Sequence, residues 1–118
     1  MALLNLEQLR AVPALETRDV DVPELGGTVR VRAWTGADKD EWDYLIANRG
    51  NKVAGDPRGI RSIAIVVSVV DEDGNRMLTE SDVSTVGAWP TSAVDSVWTA
   101  IAELNRLGAG AVEDAEKN

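Results

Sequence analysis

Carboxylates are the residues of this chain best spaced to do chemistry. Asp71, Asp73, Gly74 and Glu80 fall at the third, fifth, sixth and twelfth positions of a calcium loop counted from Val69. The first ligand position is then Val69, whose alkyl side chain cannot coordinate a hard cation, and the eighth holds Arg76 in place of an apolar residue. The run reads instead as an acidic turn between helices, with Gly74 supplying a permissive backbone and Thr79 starting the next helix. Asp38, Asp40, Glu41 and Asp43 could offer an acid and a base, but their spacing scatters them over a helix surface with no nucleophile or apolar pocket implied. A solvated acidic face is the plainer reading. Leu25-Gly-Gly-Thr lacks the Lys and the strand-to-helix setting of a phosphate loop, and turn chemistry accounts for its glycines.

The missing residue types narrow the chemistry further. The 118-residue chain has no His and no Cys. It therefore has no imidazole proton shuttle, thiol nucleophile, disulfide or thiolate metal site. Only Lys39, Lys52 and Lys117 are available for amine chemistry. The expectation is no enzyme, with no catalytic, cofactor-binding or metal-binding residues. A net charge of −8 opposes attachment to nucleic acid or an anionic membrane. No apolar run approaches the roughly 18 residues of a membrane span, and Met1-Ala-Leu-Leu-Asn-Leu-Glu has no basic leader. A cytoplasmic chain whose partner is another protein is expected.

Aromatic anchors for such a partner must come from the four Trp or Tyr44, because there is no Phe. Trp42 and Trp98 lie on apolar helical faces and read as core. Trp34 at a strand end and Trp89 in a connection are the candidates for a partner surface. Charge is also uneven: Arg49, Lys52, Arg58 and Arg61 gather in residues 49–61, whereas Asp71 and Asp73 belong to an acidic segment over 71–82. Opposite patches on one molecule permit head-to-tail self-association into a homo-oligomer, against the plainer alternative of an ordinary mixed surface.

The elements that must position these residues follow from periodicity. Ten Leu, five Ile and fifteen Val are enough to build a core. A short helix over 5–12 opens at the Asn5 cap and ends at Pro13. Alternation over about 18–34 gives a hairpin, with Val20, Val22, Val29 and Val31 on the buried face and Asp19 and Asp21 meeting Arg30 and Arg32 on the wet face. Thr35 caps a helix over 36–48. Residues 57–70 read as a central helix capped at Asp56-Pro57, although their β-branched content leaves a buried strand open for 60–70. Thr79 and Asp82 form an acidic capping box for a helix over 80–87, and 91–107 is the clearest amphipathic helix. The fold class expected is α+β, mainly α: an N-terminal β-hairpin packed on a small bundle of about four helices, one domain over 1–107, with a flexible tail over 108–118.

The order of these segments resembles a known family. Val20-Asp-Val-Pro-Glu-Leu-Gly-Gly-Thr-Val-Arg-Val-Arg leads into the Thr35-Gly-Ala helix start and Trp42. The acidic Asp71-Glu-Asp-Gly turn then leads to Leu78-Thr-Glu, and the last helix ends in Ile101-Ala-Glu-Leu-Asn. Together, over roughly residues 5–117, they resemble the tail assembly chaperones of long-tailed phages (siphophages) and prophages. Gly87-Ala-Trp-Pro departs from the polar, helix-friendly stretch expected there. The resemblance implies a helical protein made in the host bacterial cytoplasm and absent from the mature virion. It would bind the tape measure protein, keep it soluble and help recruit major tail tube protein subunits. It also implies a programmed frameshift, since Glu116-Lys117-Asn118 can be encoded by an adenine-rich slippery run. The alternatives are a structural head-tail connector protein and an acidic DNA-mimic inhibitor.

Overall fold

The structure, a computed structural model, describes residues 2–49 and 59–107. Helix α1 (Leu6–Arg10) comes first, followed by strands β1 (Thr17–Val22) and β2 (Gly27–Arg32) and helix α2 (Gly36–Ala47). Helix α3 (Ile60–Ser68) runs directly into strand β3 (Val69–Val70), and α4 (Val83–Gly87) and α5 (Thr91–Leu104) complete the order. The fold is α+β and mainly α, as the sequence indicates.

The valine alternation builds the hairpin. Val20 pairs with Val29, and Val22 and Val31 are fully buried on the same face against α5. On the other face the wet-side pairing departs from expectation. Asp19 binds Arg30 at 2.7 Å, but Asp21 faces Thr28, whose hydroxyl donates to it at 3.1 Å, and Arg32 faces Thr17. The reason is the connection: a 3₁₀ turn over Pro23–Leu25, closed by Gly26 at φ 82°, sets Val22 opposite Gly27, and register follows turn length. Arg32 is thereby released for a partner elsewhere.

The apolar run from Ile60 to Val70 is both of the structures its composition allows. Gly59, at φ 83°, caps the helix, so α3 starts at Ile60 and not at 57; the expected Asp56-Pro57 cap lies outside the described residues. The helix stops at Ser68 because Val69 turns extended and joins Val70 as the third strand, pairing antiparallel with β2 through Val31↔Val69 and Arg30↔Val70. A β-branched pair at the open edge of β2 satisfies backbone groups that a continued helix would leave without a ladder.

Helix α3 divides the core. Ile60, Ile63, Ala64 and Val67 pack with Trp42, Leu45 and Ile46 of α2. Ile65 and Val66, with Val69, pack with the sheet and with Val97 and Ile101 of α5. Complete burial of side chains such as Ile65 and Ile101 contributes about 1.5–3 kcal/mol each. Helix α4 follows a 3₁₀ turn over Glu80–Asp82 that carries the expected Thr79/Asp82 capping box. Helix α5 stops at Leu104, short of the expected 107. Arg106 adopts φ 54° and Leu107 N–H reaches back to Ala102 C=O at 2.8 Å, the pattern of a Schellman cap. The proposed tail over 108–118 lies outside the described residues.

Candidate functional site

Thr35 caps α2, and its capping-box partner is Asp38, whose carboxylate accepts the Thr35 N–H at 2.9 Å. The same carboxylate accepts from Arg32 of β2 at 3.0 Å and from Arg76, which lies beyond the β3 turn and also pairs with Glu41. Arg32 further donates to the Gly74 carbonyl at 3.0 Å. Asp38 is only 4% exposed, so the expected solvated face is corrected at this residue: its side chain points inward from the first turn of α2, where Gly36 and Ala37 stay exposed. Burial raises the Asp38 carboxyl, but the Thr35 N–H and the Arg76 and Arg32 guanidiniums outweigh it and hold the group below its ordinary value. Burial likewise lowers Arg76, while Asp38 and Glu41 outweigh that and hold it above its own. Groups held charged this firmly are poor proton-transfer catalysts near neutrality, and the cluster acts as a clasp joining β2, α2 and the turn after β3.

That turn is self-contained. Asp71 Oδ1 accepts from the N–H groups of Asp73 and Asn75 at 2.9 and 3.0 Å, and Gly74 takes φ 83°. One Asp71 oxygen therefore serves the turn. Among the described residues no group of three or more acidic, His or Cys side chains is gathered to hold a metal ion. Asp73 stands exposed at the tip.

Trp34 packs against both parts of the core. It is half-buried, its indole N–H donates to Ser68 Oγ at 2.6 Å, and its ring centroid stands 5.0 Å from that of Trp42. Its backbone N–H donates to Asn105 Oδ1 at 2.8 Å, so Trp34 ties β2 to α3 and α5. Among the other residues singled out, Arg49 is half-buried at the end of α2 with Nη1 donating to Ile46 C=O at 3.0 Å, and Arg61 is exposed on α3. Lys52 and Arg58 lie outside the described residues.

Trp89 is half-buried and borders a surface groove of about 580 Å³. Leu25, Val29, Val69, Val70, Met77 and Leu78 supply its apolar lining, and Asp19, Arg30, Asp71 and Glu72 its charged rim. Met77 is 61% exposed, and Leu25 is exposed at the hairpin turn. Of the residues chosen from the sequence, the groove brings together Trp89 and Asp71; it lies apart from the clasp that holds Asp38. Met77 was missed as a surface residue, and Leu78 reads in the sequence only as the apolar residue before the Thr79 cap, a helix-start signal that does not reveal groove lining. A second apolar surface lies on and around α1, where Leu3, Leu4, Leu6, Leu9 and Val12 are exposed. The Asn5 cap predicted there is present as a reciprocal pair with Gln8.

Among the described residues no helix is long and apolar enough to cross a membrane. No protein-family model matches the chain, and no curated protein does. A solved structure, that of the tail assembly chaperone of bacteriophage HK97, matches with a TM-score of 0.57 at 19% identity, covering 87% of this chain and 95% of that one. The chain has a tail assembly chaperone-like fold.

Proposed function

We propose that this protein is a phage tail assembly chaperone that acts by covering apolar surface of a client and transforms no molecule. The observation that carries the reading is the fold shared with the HK97 chaperone over nearly the whole of both chains. The exposed leucines of α1 and the Met77 groove add surface suited to reversible apolar contact. In this reading the client is the tape measure protein, bound by many copies whose avidity offsets modest single-site affinity, and tail tube subunits displace them. The protein works in the host cytoplasm and is left out of the virion, and a frameshifted longer product carries a further contact surface. The DNA-mimic alternative needs a row of free carboxylates, whereas Asp19, Asp38, Glu41, Asp43 and Glu103 each face a cation.

Co-expression with the long tail gene adjacent in the genome tests the reading. The expected result is a shift of the long protein from the pellet to the soluble fraction. No gain in its solubility would overturn the proposal. Mass spectrometry of purified particles separates chaperone from connector, since a stoichiometric signal would favour the connector.

A further inference from the structure

The third strand is much shorter than the second. On β2, β3 reaches only Arg30 and Val31, its other edge being held by Arg76 and Met77, so Gly27, Thr28 and Val29 have a strand neighbour on the β1 side alone. The direction of their backbone groups follows from the ladder. Ala33 N–H donates to Glu16 C=O, and antiparallel alternation then turns the peptide groups of Val31 and Val29 toward β1 and those of Thr28 away from it. The groove lies on that unpaired flank, where β3 gives way to the Asp71 turn and Met77, Leu78 and Trp89 form the far wall. A backbone edge beside apolar pockets is the arrangement that adds an extended peptide as a further strand.

The rim states the charge of that peptide. Asp19, Asp71 and Glu72 stand against Arg30, a local balance of 1 − 3 = −2, and Arg30 already pairs with Asp19. We infer that the notch beside Thr28 is a docking site for an extended apolar segment of a client protein that carries a Lys or Arg, bound by strand addition to β2. The inference rests on the chaperone reading for the nature of the client. Main-chain bonds supply affinity without sequence selection, Met77 adapts to differing side chains, and Glu72 selects the positive residue.

A synthetic peptide of about eight residues alternating Val and Lys is the probe, with a Val/Glu version and a backbone N-methylated version as controls. Binding to the full chain is followed by amide and indole chemical shifts. The Val/Lys peptide should move the signals of Thr28, Val29, Met77 and the Trp89 indole. N-methylation, Met77→Lys and Glu72→Lys should each weaken it at least tenfold, and Glu72→Lys should reverse the preference toward the Val/Glu peptide. Met77 and Glu72 are exposed, so both variants should stay folded, which their dispersed spectra would verify. Unchanged affinity after N-methylation, shifts centred on Leu6 and Leu9, or a groove filled by a second copy as the protein is concentrated would each overturn the inference. If the wild-type chain solubilises its client and Met77→Lys does so equally, the notch is excluded while the chaperone reading stands. If the wild-type chain fails in that assay, the chaperone reading falls, and the notch's occupant with it.

Discussion

The segment from Asp71 to Leu78 has two unlike sides, and their contrast separates what holds this protein together from what it presents. On one side Arg76 and Gly74 are drawn into the clasp with Arg32, Asp38 and Glu41, where the carboxylate of Asp38 is committed to several donors at once. On the other side Met77 and Leu78 border an open groove with an apolar lining. Only Met77 separates Arg76 from Leu78, so a rigid anchor and an adaptable surface share one short stretch of chain. With the fold anchored by charge on the first side and by Leu78 packed on the core, Met77 stays exposed on the second.

The contrast is broken most severely at Asp38. Replacing it with Ala leaves two guanidiniums without their shared buried counter-charge and removes the reciprocal half of the α2 cap. Chemical denaturation should show a loss of about 3–5 kcal/mol. Its titration gives the next test. Because the folded-state carboxyl lies below the ordinary value of 3.8, its stabilisation is complete above that value and is lost as pH falls through the lower, folded-state value. The acid limb of a stability profile should therefore flatten in Asp38→Asn. Trp34→Phe removes the indole donor to Ser68 while keeping ring packing and should cost about 1–2 kcal/mol in the same denaturation measurement. Met77→Ser, on the open side, should shift stability by less than about 0.5 kcal/mol while reducing the solubility given to a co-expressed client. A large stability loss at Met77 or a negligible one at Asp38 would erase the distinction between the two sides.

How much of this was legible in the sequence depends on the range of the interaction. The caps at Asn5, Thr35 and Thr79 and the buried valines of the hairpin are local, and spacing alone revealed them. Asp38 shows the boundary. Its role in the Thr35 box is written in the intervening residues, but its bond to Arg76 joins positions 38 residues apart, and no spacing rule connects them. Residues 60–70 failed differently, since one apolar run serves two backbone states and only the presence of β2 decides where the change falls. The groove was unreadable for a related reason: it exists because β3 ends early, and strand length there is set by the Asp71 turn and by what packs around it.

The passage from α3 to β3 contains no connecting loop, since Ser68 ends the helix and Val69 begins the strand. Without slack, α3 cannot rotate or slide unless the ladder to Val31 moves with it, and Val69 belongs to the same apolar cluster as Ile65. Amide hydrogens along α3 and in the β2–β3 ladder should therefore exchange with solvent in one shared opening event, making sheet and helices a single cooperative unit instead of a hairpin leaning on a bundle.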